Sequence, residues 1–204
     1  HNVEIIEGDA LAMDFDTLFA PRPGSTAPGV ELSFEPVRVV GNIPYYITSE
    51  LLLRMFEYRR YFETMVLMVQ LEVADRLAAK PGGSGYGLLS ATAQLYFRVE
   101  KLFTLPPGAF VPPPKVHSAV ARLSIEPQVE KLRVREEEFV DFLKLSFGQK
   151  RKTLWNNLKA KYDTAALAAA LQQARVKPTE RAEALSLEKS AAVFRALAES
   201  STQT

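Results

Sequence analysis

The 204-residue chain contains no cysteine and only two histidines, His1 and His117. The absence of cysteine excludes disulfide bonds and thiolate metal sites, and two histidines are too few for a typical histidine-based metal centre. No apolar run approaches the roughly 18 residues that a membrane-spanning helix needs, and no signal-peptide pattern opens the chain. We therefore expect a soluble, cytoplasmic protein with no metal site and no membrane partner.

Charge is nearly balanced over the whole chain, with a formal net charge of +1. The charged residues of segment 144–161 are nevertheless all basic: Lys144, Lys150, Arg151, Lys152, Lys159 and Lys161. Such a block suits the phosphate backbone of a nucleic acid. The alternative is a solvated helix face with no binding role.

Strands alternate with helices over the first 125 residues, and this alternation predicts a doubly wound α/β sheet. The predicted strands are Val3–Glu7, Val37–Val40, Met65–Val69, Phe97–Phe103 and Val116–Ile125. The predicted helices are Thr48–Tyr58, Glu72–Ala79 and Tyr86–Tyr96. The run Met65–Val69 is apolar enough to be buried on both faces of the sheet. Residues 20–36, which are rich in proline, predict an irregular loop.

Only helical periodicity follows residue 126. The predicted helices are Glu136–Phe147, Arg151–Lys161, Thr164–Ala174 and Leu187–Glu199. We therefore predict two domains, an α/β domain of residues 1–125 and a small all-α domain of residues 126–204.

The segment Gly41-Asn42-Ile43-Pro44-Tyr45-Tyr46 lies between a predicted strand and a predicted helix. Pro44 has a fixed φ and no N–H, so it stiffens the turn and can aim the Ile43 carbonyl outward. That carbonyl and the Asn42 side-chain oxygen could accept both hydrogens of an exocyclic amine, while Tyr45 stacks on the ring that carries it. The alternative is a proline-containing turn with a buried tyrosine, and the tetrad Asn42–Tyr45 alone does not decide between them.

Three motifs occur in a fixed order: Glu7-Gly8-Asp9-Ala10-Leu11, then the tetrad, then Phe110-Val111-Pro112-Pro113-Pro114-Lys115-Val116. Together they resemble the KsgA-type rRNA adenine N6,N6-dimethyltransferases, which use S-adenosylmethionine. The segments Tyr86-Gly87-Leu88-Leu89-Ser90 and Phe147–Thr153 fit the same family, so the resemblance spans essentially the whole chain. Erm-type 23S rRNA methyltransferases share the tetrad, but the triple-proline loop and the C-terminal domain are more similar to the KsgA type.

The resemblance implies a Rossmann-like class I methyltransferase sheet with a small helical RNA-binding domain. It implies methylation of two adjacent adenines in the 3′-terminal hairpin loop of 16S rRNA, within the immature 30S subunit, by a monomer. Three alternatives stay open: an Erm-type 23S rRNA methyltransferase, a non-catalytic RNA-binding assembly factor, and a DNA adenine methyltransferase.

The resemblance also assigns roles to individual residues. Asn42 and Ile43 would accept from the target amine, Pro44 would stiffen the turn, and Tyr45 and Phe110 would clamp the base. Asp9 and Ala10, together with Asn42, would bind the cofactor. The RNA backbone would contact Lys150, Arg151, Lys152, Lys159 and Lys115, with Arg22, Arg59 and Arg60 as possible extensions of that surface. His117 and Trp155 are interpreted as structural residues.

Two features of the family are missing from this sequence. Neither the glycine-rich loop after the family's first strand nor the acidic residue after its second is present. Val3–Glu7 would correspond to the third strand of that sheet and would lack a neighbour, and the chain begins with His rather than Met. We therefore expect a fragment of a longer protein that binds S-adenosylmethionine weakly or not at all.

Overall fold

The computed structural model describes residues 3–19 and 36–201. Its centre is a four-stranded sheet of β1 (Val37–Asn42), β2 (Phe62–Gln70), β3 (Phe97–Leu105) and β4 (Ser118–Ile125), in the order β1-β2-β4-β3. β1 and β2 are parallel, whereas β4 runs antiparallel to both β2 and β3. The predicted α/β class is confirmed.

Four helices accompany the sheet: α1 (Phe15–Phe19), α2 (Thr48–Glu57), α3 (Leu71–Leu77) and α4 (Leu88–Tyr96). The described residues after β4 contain helices and no strand: α5 (Val129–Leu132), α6 (Glu136–Ser146), α7 (Leu154–Leu158), α8 (Thr164–Gln173) and α9 (Leu187–Ser201). α8 begins where the Asp163 side chain accepts hydrogen bonds from the backbone N–H groups of Ala165 and Ala166. A side-chain cap of this kind satisfies donors that the first helical turn leaves unpaired.

The predicted strand Val3–Glu7 is wrong. This segment has no regular secondary structure and is not part of the four-stranded sheet, and Val3 and Ile5 are 75% and 91% exposed. An alternating sequence makes a strand only where a neighbouring strand pairs with its backbone. The predicted loop of residues 20–36 lies, except for its last residue, outside the described part of the chain.

The sequence predicted that β2 is buried on both faces. In the structure only one face of β2 is buried. Met65, Leu67 and Val69 are buried, whereas Val66 and Met68 between them are only partly covered by the described residues. The sequence pattern indicates what a strand can bury, and the elements stacked on it decide how much of that is covered.

The predicted helix Arg151–Lys161 is much shorter in the structure. α7 begins at Leu154, after Thr153 caps it by accepting from the Asn156 backbone N–H, and it ends at Leu158. The basic residues before and after it lie in turns, not on a helix face.

The helical segment is joined to the sheet by a cluster around Arg59. Its guanidinium lies 4.0 Å from the centre of the Tyr96 ring and pairs with Glu136, the first residue of α6. The Tyr96 hydroxyl donates to the same carboxylate at 3.1 Å. Burial raises the pKa of Tyr96, so this hydroxyl stays protonated as a donor.

Candidate active site and nucleic-acid interface

The tetrad Asn42–Tyr45 lies where the parallel strands β1 and β2 end. Asn42 pairs with Met68, and the Ile43 backbone N–H donates to the Met68 carbonyl at 3.0 Å. Pro44 has no N–H with which to continue the ladder, so the chain leaves the sheet there. Ligands of open α/β sheets bind outside the carboxyl ends of the strands, and this is the edge at which the tetrad lies.

The two predicted amine acceptors are not used by the fold. The Asn42 side chain is exposed and forms no hydrogen bond with any described residue, and no hydrogen bond to the Ile43 carbonyl is found there either. The next carbonyl differs, because Pro44 accepts from the Thr48 hydroxyl at 3.0 Å and from the Ile47 N–H at 3.2 Å.

The Ile43 side chain is buried and fixes this arrangement from below. A Cβ added at Gly41 would lie 3.1 Å from Ile43 Cδ1 and 3.2 Å from Leu67 Cδ2, which is a tight contact. The glycine therefore lets the Ile43 side chain pack closely over β1 and β2 while its carbonyl remains at the strand end.

Tyr45 is held by a residue that the sequence did not identify as part of the site. Its hydroxyl is hydrogen-bonded to the hydroxyl of Ser118, a fully buried residue at the start of β4. Since Ser118 lies 73 positions further along the chain, no local pattern could have revealed the contact. The neighbouring Tyr46 is 89% exposed and has no comparable anchor among the described residues.

Phe110 lies in the loop of residues 106–117 that connects β3 to β4. Leu105 pairs with Ser118, so this loop leaves and re-enters the sheet beside the residue that anchors Tyr45. Phe110 is half-buried, and its backbone N–H donates to the Pro107 carbonyl at 3.2 Å. The loop that carries Phe110 thus begins and ends beside the anchor of Tyr45, and within the described residues the two rings make no direct aromatic contact.

Asp9 and Ala10 lie in an exposed turn. Asp9 Oδ1 accepts from the Leu11 N–H at 2.9 Å, and its backbone carbonyl accepts from the Ala12 N–H at 3.0 Å. The second carboxylate oxygen makes no hydrogen bond to the described residues, so it suits an amine donor such as that of an adenine. No hydrogen bond or ion pair in the described part links this turn to Asn42.

The Asp9 turn is tied to the domain through Arg54 of α2, another contact that the sequence did not reveal. Arg54 Nη2 donates to the Met13 carbonyl at 2.6 Å, and its guanidinium lies 5.4 Å from the centre of the Tyr58 ring. Phe15 packs edge-on against the same ring, at 5.1 Å between centroids. These contacts hold the segment that follows Asp9 against α2.

The basic residues predicted to bind RNA are exposed. Lys150, Arg151 and Lys152 lie in the turn between α6 and α7, and Lys159 lies at the end of α7. None of them forms an ion pair with a described acid. Arg59 and Arg60 differ, because they pair with Glu136 and Asp16. Arg22 lies outside the described residues.

A cavity of about 940 Å³ brings Lys115 and Lys150 together. Its lining also includes His117, so this residue faces solvent in a candidate site rather than the protein interior. Tyr86 and Phe147, from two segments that fit the family resemblance, meet here with ring centroids 6.1 Å apart. Burial raises the pKa of Tyr86 to about 12, and the negative charge of Glu188 adds to the effect.

None of the described helices is both long enough and apolar enough to span a membrane.

Residues 1–199 match the ribosomal RNA adenine dimethylase family. The chain is 55% identical over 196 residues to the ribosomal RNA small subunit methyltransferase A of Koribacter versatilis, covering 96% of this chain and 69% of that protein. Its counterpart from Acidobacterium capsulatum is 52% identical, with 96% and 65% covered. The one from Desulfitobacterium hafniense is 42% identical, with 96% and 66% covered. The chain thus spans about two thirds of the length of these relatives.

Two solved structures share the fold. A dimethyladenosine transferase from Plasmodium falciparum superposes with a TM-score of 0.68 at 23% identity, covering 98% of this chain and 74% of that one. The 23S rRNA methyltransferase ErmE superposes with a TM-score of 0.64 at 25% identity, covering 97% and 72%. The strand order described above is thus part of a known methyltransferase architecture.

Proposed function

Because this chain belongs to the ribosomal RNA adenine dimethylase family, we propose that the protein transfers methyl groups from S-adenosylmethionine to the N6 amines of two adjacent adenines in the 3′-terminal hairpin loop of 16S rRNA. The observation that carries this proposal is the pair of unused acceptors, Asn42 and the Ile43 carbonyl, at the end of β1. The names of its relatives, small subunit methyltransferases, support the small-subunit substrate.

The acceptors address the central difficulty of the reaction. The lone pair of an adenine N6 is delocalised into the ring, so the nitrogen is a poor nucleophile. Hydrogen bonds from both N–H groups to Asn42 and Ile43 favour a pyramidal nitrogen whose lone pair points away from the ring. The bound cofactor supplies an activated sulfonium methyl group. The proton is lost from the cationic product, so this site needs positioning rather than a strong base.

Tyr45 and Phe110 hold the base while this happens. The bond to Ser118 fixes the Tyr45 ring in place, and Phe110 enters from the loop that begins beside it. Stacking of one base on an aromatic ring contributes about 1–3 kcal/mol. The target adenine must leave its own stack to reach such a site, and a hairpin loop makes that step less costly.

Asp9 and Ala10 serve the adenine end of the cofactor in this proposal. The open oxygen of the Asp9 carboxylate accepts from the adenine amine, and the Ala10 backbone lies beside it. Among the described residues no glycine-rich loop follows a strand at the carboxyl edge of the sheet. The residues present therefore fit only one end of S-adenosylmethionine.

The RNA backbone contacts the exposed cations Lys115, Lys150, Arg151, Lys152 and Lys159. Contacts of this kind position a nucleic acid and give salt-dependent affinity with little sequence preference. The partner is the immature 30S subunit, which the protein meets as a monomer during ribosome biogenesis.

Methyl incorporation separates the proposed function from its alternatives. The protein, with any residues that its gene encodes before His1, is incubated with labelled cofactor and immature 30S particles, naked 23S rRNA or DNA. We expect dimethyladenosine in the 30S particles alone. Incorporation into 23S rRNA or DNA would indicate an Erm-type or a DNA enzyme. RNA binding without incorporation would indicate an assembly factor.

A further inference from the structure

A second cavity, of about 540 Å³, adjoins the one that holds Lys115 and Lys150. The two cavities share the lining residues Ser84, Tyr86, Lys150 and Glu183. The two adjoining cavities together are here called the groove, which extends from Lys115 past Lys150 to Arg151, Thr179 and Arg181. Each cavity falls within the range of roughly 300–1,000 Å³ that holds a small organic molecule, so the groove accommodates more than one nucleotide.

The groove has a basic wall on the side of the helical segment. Lys150, Arg151 and Arg181 line it, and none of the three pairs with a described acid. At its other end Lys115 and His117 contribute from the loop that carries Phe110. Three acidic residues also line the groove. Asp75 is paired with Lys101, whose Nζ donates to it at 2.6 Å, and the other two are Glu72 and Glu183.

The opposite side near Arg181 is formed by backbone rather than by bulky side chains. Gly82 and Gly83 line it, and the Gly82 N–H donates to the Glu183 carbonyl at 2.7 Å. Gly82 has a φ of +81°, a conformation that side-chain-bearing residues rarely adopt. The loop of residues 82–84 is thereby held against the segment that contains Arg181, and it leaves room for a chain to pass.

We propose that the groove binds a single-stranded RNA segment continuous with the target adenines, and that Arg181 contacts its phosphates. This inference rests on the proposed function. The groove begins at Lys115, in the same loop as the base-clamping Phe110, so a strand that leaves the site enters it directly. The proposed target lies in a hairpin loop, so its neighbours are unpaired, and these are the nucleotides that the groove receives. Phosphates face Lys150, Arg151 and Arg181.

The test measures binding of the 204-residue chain to a fluorescent hairpin-loop RNA at several salt concentrations. Arg181→Gln removes one cation from the far end of the groove. We expect affinity to fall about 3- to 10-fold, and the slope of log affinity against log salt to become shallower by about 0.7, the value for one phosphate contact with a single strand. A variant that only damaged the fold would change the thermal unfolding midpoint, which we expect to stay constant because Arg181 is exposed.

Lys177→Gln is the matched control. Lys177 is exposed in the same helical segment but lines neither cavity, so we expect its affinity and salt slope to equal those of the unaltered chain. Equal losses in both variants would overturn the groove, because net charge alone would then explain them. An unaffected Arg181→Gln beside a weakened Lys150→Gln would also overturn it, while leaving the proposed function intact. Failure of the unaltered 204-residue chain to bind this RNA would overturn the groove, whereas the proposed function is tested separately by methyl incorporation with the longer protein.

Discussion

The carbonyl groups of Ile43 and Pro44 have different surroundings, and this difference defines the candidate site. The Pro44 carbonyl is used twice by the start of α2, through Thr48 and Ile47. No described group donates to the Ile43 carbonyl. An amine that approaches the end of β1 therefore meets two acceptors and not three, which matches the two hydrogens of an N6 amine.

Replacing Asn42 with alanine removes one of these acceptors. Loss of one preorganised hydrogen-bonding group at a reacting centre typically lowers turnover by about 10²- to 10³-fold, and we expect kcat of the active protein to fall by that order. RNA affinity, measured separately by anisotropy, should change little. Asn42→Asp keeps an acceptor oxygen and should retain more activity. If turnover and RNA affinity fell together, Asn42 would be a binding or structural residue.

Tyr86 provides a prediction about pH. Its pKa is raised to about 12 by burial, above the value of about 10 of an unfolded tyrosine. The stabilisation is therefore complete below about pH 10 and is lost as pH rises towards 12, by up to about 2–3 kcal/mol. Urea unfolding at pH 8 and pH 11.5 should show a smaller alkaline loss for Tyr86→Phe than for the unaltered chain. Tyr46→Phe, at an exposed position, should behave like the unaltered chain.

At the scale of elements, the turn between α6 and α7 is fixed from inside the protein. The buried Asn157 side chain donates to the Ser146 carbonyl at 2.6 Å and to the Gln149 carbonyl at 3.4 Å. The Ser146 hydroxyl donates in turn to the Phe142 carbonyl at 2.7 Å. The basic residues of this turn are thus presented by a backbone that is fixed by internal hydrogen bonds, which would lower the entropic cost of the RNA binding proposed above.

Asn157→Ala should loosen this turn. The Ser146 carbonyl would lose its buried donor, which typically costs about 1–3 kcal/mol of unfolding free energy. Well below the unfolding temperature, RNA affinity should also fall, because Lys150 and its neighbours would no longer be held in one arrangement. Chemical unfolding and anisotropy measure the two effects. Asn156→Ala, the exposed adjacent position, is the control, and equal effects in both variants would argue against this role of Asn157.

Elements were predictable where the signal was local. α6 begins at the predicted Glu136 and α8 at the predicted Thr164, since the apolar periodicity of both helices and the Asp163 cap of α8 depend on neighbouring residues. Val3–Glu7 failed because a strand depends on a partner elsewhere. The tetrad was predictable as a candidate site for the same local reason. Two supporting contacts were not, because Ser118 anchors Tyr45 from 73 positions away and Arg54 holds Met13, after the Asp9 turn, from 41 positions away.

At the scale of the whole molecule, the cluster of Arg59, Tyr96 and Glu136 joins the sheet to the helical segment. The Arg59 guanidinium and the Tyr96 hydroxyl both bind the Glu136 carboxylate, and the guanidinium also lies over the Tyr96 ring. The groove lies along the same junction, since its lining includes Phe147 and Lys150 from the helical side and Gln70 from β2. The relative placement of the two parts therefore sets the width of the proposed RNA path.

The described residues also predict how strongly the chain binds S-adenosylmethionine. In the proposed function Asp9 and Ala10 would hold the adenine end of S-adenosylmethionine, but the described residues include no glycine-rich loop after a strand for its methionine end. Isothermal titration of the 204-residue chain should therefore show no binding at micromolar cofactor concentrations. Micromolar affinity would contradict this prediction. A cooperative thermal unfolding transition of the same preparation would show that the chain is folded.

The position of β1 at one end of the strand order affects how the chain can associate with other chains. One side of β1 pairs with β2, and no described strand pairs with the other. Val40 on this strand is 85% exposed, and the nearby Arg38 is engaged by Glu63 at 2.9 Å. An open, apolar edge strand is a template on which another chain can add a strand. In the 204-residue chain, the strand that carries Asn42 is thus also the one on which such an addition can occur.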